Sequence, residues 1–185
     1  MDDGESTLGL DPERVHLRKY SPSWPTLFLR EREQISHVLE LGETHIEHIG
    51  STALPGAIAK PIIDILIGIP DNERIGEVSE RLETLGYLAK GEQTPGRYFF
   101  LRGVPNTTHH LHVVKFGCDE WRECLSFRDA LLADSRLLQD YCQLKRELAH
   151  QFATERERYT SQKGPFIDSV LLRIKGDKMP PEEKD

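Results

Sequence analysis

Gly50-Ser51, Lys60 and Asp64 stand in a spacing that suits the handling of phosphate groups. Gly50-Ser51 ends a β-forming run from Thr44 to Ile49. A residue without Cβ lets the backbone approach a ligand and turn its amides toward it, so a phosphate fits at this break. Lys60 follows on the connecting segment. Asp64 is then the single charge in the apolar run Ile62 to Ile69, which opens after Pro61, the one place a strand tolerates proline. A lone carboxylate in a buried strand requires a metal, a cation or a proton. A glycine–serine turn alone is usually only a turn. Its conjunction with Lys60, Asp64 and the preceding His48 is what makes it a candidate phosphate site.

His110 and His112 lie two apart in a stretch, His109 to Phe116, that reads as a strand, so both rings project from one face while His109 points away. That spacing suits a metal ion. It equally suits two imidazoles hydrogen-bonded on a half-buried sheet. Arg128 falls within the apolar stripe of a helix, where a guanidinium must find an acceptor. It is either a phosphate clamp or one half of an intramolecular pair with Asp129, Asp64 or Glu47. Lys145 borders the stripe shared by Tyr141 and Leu148, and Lys163 precedes the last helix. Each either reaches a pocket or carries its charge out to water along its alkyl stem. Arg97 and Tyr98 open the histidine hairpin and suit contact with a phosphate and a base, against the commoner reading of Tyr98 as a packing residue. No Walker loop, dinucleotide fingerprint, nucleophile elbow or zinc-finger spacing is present.

Gly50-Ser51 followed by Asp64 on the next strand resembles the signature of the polymerase-β-like nucleotidyltransferase superfamily. A wider set is similar to the GrpB (UPF0157) family over about Val15 to Ile174. It comprises His48-Ile49-Gly50-Ser51-Thr52, Pro55-Gly56, Lys60-Pro61-Ile62-Ile63-Asp64, His109-His110-Leu111-His112-Val113, Phe127-Arg128-Asp129, Tyr141 with Leu144-Lys145, and Tyr159 with Lys163. The resemblance implies an α+β fold with a nucleotidyltransferase-like mixed sheet, packed helices and a C-terminal helical section closing over the Gly50-Ser51 edge. It also implies a metal-dependent reaction of a nucleoside triphosphate with a small acceptor. In that reaction Gly50 and Ser51 would hold the triphosphate, and Lys60, Arg128, Lys145 and Lys163 would neutralise its charge. Asp64 and His112 would be catalytic, with His110 a further metal ligand. The superfamily's Asp-x-Asp pair is incomplete, because Leu66 stands where the second carboxylate would share a strand face with Asp64. A borrowed imidazole would favour Mn²⁺ or Zn²⁺ over Mg²⁺. The rival expectation is a non-catalytic module that binds a nucleotide or another phosphorylated metabolite. Its link would be to coenzyme A metabolism, since GrpB-like domains occur fused to dephospho-CoA kinase.

The elements that must position these groups follow from periodicity. The chain of 185 residues, 37% hydrophobic and 30% charged, is long enough for one domain with a real core. That domain is expected at 11–175, with flexible tails at 1–10 and 176–185. Trp24, Leu27, Phe28, Ile35, Val38 and Leu39 repeat at three and four, so a helix runs from Ser21-Pro22-Ser23 to about Leu41 and ends at Gly42. Val15 to Tyr20 reads as an edge strand. A second helix starts at Asp71-Asn72 and closes at Gly86. Tyr87-Leu88 and Arg97 to Arg102 read as short strands around a loop at Gly91 to Gly96, the latter strand forming a hairpin with the histidine strand. Three helices follow from Asp119, the last beginning at Gly164-Pro165. A net charge of −7 argues against broad nucleic-acid binding, which needs a positive field along the phosphates. Three cysteines in odd number read as cytosolic thiols, and no run approaches the roughly 18 apolar residues of a membrane span. A cytoplasmic protein with a small phosphorylated ligand and no membrane partner is expected.

Overall fold

The computed structural model describes residues 8–9 and 14–177. Runs of β-branched residues in the middle of the chain form strands, and residues with a three-to-four apolar period form helices on either side. In order these are β1 (Arg18–Lys19), α1 (Ser23–Leu39), β2 (Ile46–Ile49), β3 (Ile58–Ala59), β4 (Ile63–Ile69), α2 (Ile75–Glu83), β5 (Leu88–Thr94), β6 (Arg97–Arg102), β7 (His109–Lys115), α3 (Asp119–Ala133), α4 (Ser135–Gln151), α5 (Arg156–Ser161) and α6 (Gly164–Asp177). Five strands make a mixed sheet in the order β2-β4-β7-β6-β5, in which β4 and β7 are parallel and the other pairs antiparallel. β1 and β3 form a separate two-stranded ribbon. The expected α+β architecture, a mixed sheet with packed helices and a C-terminal helical section, is that of the protein. No helix among the described residues is long and apolar enough to cross a membrane.

The period of two along the strands divides the sheet into two faces. One carries Ile63, Ile65, Ile67 and Ile69 of β4 with Leu111 and Val113 of β7. These pack against Trp24, Phe28 and Ile35 of α1 and Val78 and Leu82 of α2 in the main core. The opposite face carries Asp64, Leu66, His110 and His112. At one end Leu66, Ile49 and Val114 are sealed by Trp121 of α3. Leu54 and Ala57, beyond the Gly50 turn, pack with Tyr141 and Cys142 of α4 and Val170 of α6, which brings the C-terminal helices over the turn.

Several local expectations change. Glu43–His45 is a 3-10 turn, so the strand before Gly50 starts only at Ile46, and α1 ends on Glu40 with φ 54 rather than on Gly42. The expected Gly91 to Gly96 loop is mostly β5, because a tight Pro95-Gly96 turn, with φ +79 at Gly96, lets the chain pair back on β6. α5 is an additional short helix, and α6 runs on to Asp177. Within the expected N-terminal tail, Leu8 packs on the main core and the Gly9 N–H donates to the Pro61 carbonyl at 2.9 Å. Residues 1–7 and 10–13, and the tail from 178 onward, lie outside the described residues.

Candidate functional site

Three adjacent strands set the centre of the site. Ile49 pairs with Asp64 across β2 and β4, and Asp64 pairs with His110 across β4 and β7. The Gly50 turn, the carboxylate and the imidazole therefore stand in a row. Gly50 has φ +67, and a Cβ built there would meet Asp64 Oδ2 at 2.4 Å and Asp64 Cγ at 2.9 Å. Only glycine fits, and the close approach its missing side chain allows is to Asp64. The other carboxylate oxygen, Oδ1, lies 3.1 Å from His110 Nδ1. Burial opposes ionisation of Asp64. The hydrogen bond with His110 and the electrostatic influence of the neighbouring imidazoles and of Lys60 outweigh it and hold the carboxyl down at about 2.

The C-terminal helices bring the lysines. Lys145, on the inner face of α4 and 2% exposed, donates from Nζ to Ser51 Oγ at 2.8 Å and to the Ile58 carbonyl, and lies 4.6 Å from the Tyr141 ring centroid. The Tyr141 hydroxyl also hydrogen-bonds Ser51. Lys60 and Lys163 both stand over the Tyr159 ring, at 5.4 and 4.9 Å. Burial pushes Lys163 down to about 7, helped by Lys60 and Lys145 and opposed by Asp64. Burial likewise brings Lys145 to about 8 and lowers Lys60. Three amines in dry surroundings thus converge on one ionised carboxylate, an arrangement short of negative charge. In the sequence Tyr159 stands out only beside Lys163. Its role as the surface that both Lys60 and Lys163 rest on emerges from the packing of α5.

Other residues of the sequence-derived site have different partners. Arg128 Nη1 donates to Glu47 Oε2 at 2.7 Å and to the His48 carbonyl at 3.0 Å, and its Nε donates to Asp129 at 2.8 Å. Of the two readings of Arg128, the geometry is that of the intramolecular pair. His112 lies on the same face as Asp64, one strand over from Leu66, stacked at 5.1 Å on Phe99. Its Nδ1 is 3.1 Å from Arg97 Nη2, and Arg97 is also paired with Glu120. A guanidinium only donates, so that nitrogen is occupied as an acceptor, and burial with the Arg97 charge brings the ring down to about 3. His48 sits on the opposite sheet face, stacked on Phe28 at 4.6 Å and bonded to Thr52 Oγ1 at 3.0 Å, where it braces the turn from behind. Tyr98 faces the main core.

Among the described residues no group of three or more His, Cys, Asp and Glu is arranged to hold an ion. Leu66, where a second carboxylate would stand, is 0% exposed beneath Trp121. Asp64 and His110 are turned toward each other.

The family model described as GrpB protein matches residues 14–173. UPF0157 protein PA4798 of Pseudomonas aeruginosa is 39% identical over 183 residues, covering 94% of this chain and 72% of the relative. A protein named dephospho-CoA kinase from Mycobacterium bovis is 25% identical over 175 residues, which are 80% of this chain and 43% of that protein. Among solved structures, conserved protein GrpB from Enterococcus faecalis aligns with a TM-score of 0.77 at 30% identity, over 85% of this chain and 96% of that one. The Cid1 poly(U) polymerase with MgGTP bound aligns with a TM-score of 0.50 at 13% identity, over 71% of this chain and 44% of that one, a likeness of fold alone.

Proposed function

The chain belongs to the GrpB family, and from that premise we propose that it binds a phosphorylated small molecule, with a nucleoside triphosphate the first candidate, at the Gly50-Ser51 turn. The observation that carries this reading is the gathering of Lys60, Lys145 and Lys163 around Asp64, the carboxylate that lies against Gly50. Lys145 is hydrogen-bonded to Ser51, and its amine and that of Lys163 are lowered by burial to about 8 and 7. A dry amine of this kind regains its proton when an anion arrives, so phosphate binding and lysine charging reinforce each other. Since no group of three or more His, Cys, Asp and Glu among the described residues is arranged to hold an ion, Mg²⁺ or Mn²⁺ would come with the phosphates, which supply most of the oxygen ligands such ions need. Nucleotidyl transfer to a small acceptor is the reaction the fold suggests, and the coenzyme A precursors are a second ligand class. The match to part of a protein named dephospho-CoA kinase favours their inclusion.

A thermal-shift and calorimetric panel tests the reading. The ligands are the four ribonucleoside triphosphates, dephospho-coenzyme A and pyrophosphate, each with and without Mg²⁺, Mn²⁺ or Zn²⁺. A ligand at a hundred times its Kd adds about 2.7 kcal/mol of stability. Ser51→Ala and Lys60→Ala should weaken binding at least tenfold with little loss of stability. If nothing in the panel binds, or if both variants bind as the parent does, Gly50-Ser51 is only a turn.

A further inference from the structure

We propose that Ser51 is a nucleophile, that Lys145 is its general base, and that the pair cleaves a carboxylic ester or thioester through an acyl-serine. This activity is separate from the proposed binding of a nucleoside triphosphate at the same turn.

Local structure delivers both groups. With φ +67 at Gly50, β2 passes directly into the 3-10 turn Ser51–Ala53, and Ser51 stays half-buried, within reach of a small molecule. Tyr141 and Lys145 are four residues apart on α4, so they share one face of it. Phe166 stacks on the Tyr141 ring at 5.3 Å and Phe127 meets it edge-on at 5.4 Å. Leu54 and Ala57 pack in the same cluster, which holds the turn against the helix. Lys145 Nζ then lies 2.8 Å from Ser51 Oγ, the Tyr141 hydroxyl bonds the same serine, and a second N–H of Lys145 is held by the Ile58 carbonyl. A neutral amine keeps one lone pair, and with an N–H fixed on Ile58 that pair can receive the Ser51 proton. A hydroxyl within hydrogen-bond reach of a base that a third group orients is the arrangement of an activated nucleophile, and serine–lysine pairs are one of its forms. Burial supports the role, since an amine brought to about 8 accepts a proton near neutrality where an ordinary lysine does not.

The class of electrophile follows from the state of the amine. A general base must be unprotonated, and a triphosphate beside this amine restores its proton, so the pair acts on an uncharged group. An ester or thioester carbonyl is such a group. In the first step Lys145 Nζ takes the Ser51 proton as Oγ bonds to the carbonyl carbon, whose π electrons move to its oxygen. When they return, the bond from carbon to the alcohol oxygen or thiol sulfur breaks, and the leaving group departs with that electron pair and the proton from Lys145. Water then attacks the acyl-serine in the same way, giving its proton to Lys145. Collapse releases a carboxylic acid and returns the proton to Ser51 Oγ. Nothing is oxidised or reduced, and water is the one co-reactant.

An alkyl fluorophosphonate, an uncharged reagent that bonds to activated serine hydroxyls with loss of fluoride, tests the pair on the full chain. Peptide mapping by mass spectrometry should place the label on Ser51 in the parent, and Ser51→Ala should take none. Lys145→Arg keeps a cation and its donors but cannot accept a proton, and it should slow labelling by about 100- to 10,000-fold. Lys145→Met, which matches the lysine stem in length, should do the same, and it keeps the test decisive if the bulkier arginine unfolds the chain, which urea melts would show. With p-nitrophenyl acetate as substrate, the parent should release nitrophenol at least about tenfold faster than Ser51→Ala. A parent unlabelled at Ser51, a folded Lys145 variant labelled at the parental rate, or equal ester cleavage by parent and Ser51→Ala overturns the proposal. None of these readouts involves a phosphorylated ligand, so their failure leaves the triphosphate reading standing, and failure of the ligand panel leaves this one.

Discussion

Lys145 offers a test of the dry, cation-rich site that needs no ligand. The residue is 2% exposed, and burial lowers its amine from 10.5 to about 8. Below pH 8 the group is charged in both folded and unfolded chains, and the folded state carries the whole cost of burying the charge. Between pH 8 and 10.5 the folded lysine is neutral while the unfolded one still holds a proton. Stability then rises with pH, because the unfolded state binds more protons. At about 1.4 kcal/mol per pH unit, the gap from 10.5 to about 8 corresponds to about 3 kcal/mol. Lys145→Met removes this titration along with the bonds to Ser51 and Ile58. Urea denaturation of parent and variant at pH 7, 8, 9 and 10 should show the parent gaining about 2 to 3 kcal/mol relative to Lys145→Met across the series. Taking the difference cancels the tyrosines, which titrate in both proteins. Saturating pyrophosphate should flatten the rise, since an anion beside the amine restores its charge. A pH-independent difference, or one of opposite sign, would refute the claim that this amine is desolvated.

Gly50→Ala should destabilise the protein by about 2 to 3 kcal/mol in urea melts, from left-handed backbone strain and the forced displacement of Asp64. Arg128→Met should cost about 2 kcal/mol by leaving Glu47 and the His48 carbonyl without their donor, yet leave triphosphate affinity within a few-fold of the parent in calorimetry. Leu66→Asp, which restores the second carboxylate of the superfamily pattern, should lose more than about 3 kcal/mol and gain no Mn²⁺ binding, because it buries a charge beneath Trp121. A stable, Mn²⁺-binding Leu66→Asp protein would show that the metal site had merely lost one ligand.

Local rules made much of this site legible. Gly50-Ser51, the Pro61-led strand with its one carboxylate, and the alternation that put His110 and His112 on one face all follow from the period of two and from turn chemistry. The helix stripes of α1, α2, α4 and α6 were equally plain, since their apolar positions recur within a few residues. What local rules cannot supply is which strand lies beside which, and in what register. Parallel pairing of β4 with β7 places Asp64 opposite His110 and Leu66 opposite His112, so the imidazole that reaches the carboxylate is the one two residues nearer the start of the strand. Arg128 finds Glu47 across 81 positions of sequence, and Lys145 finds Ser51 across 94. Leu66, where the superfamily resemblance leads one to expect a second aspartate, is closed over by Trp121. Each of these contacts depends on how the helices dock on the sheet. Docking is set by burying whole apolar faces at once, so a single side chain's partner is decided by packing far from it in the chain.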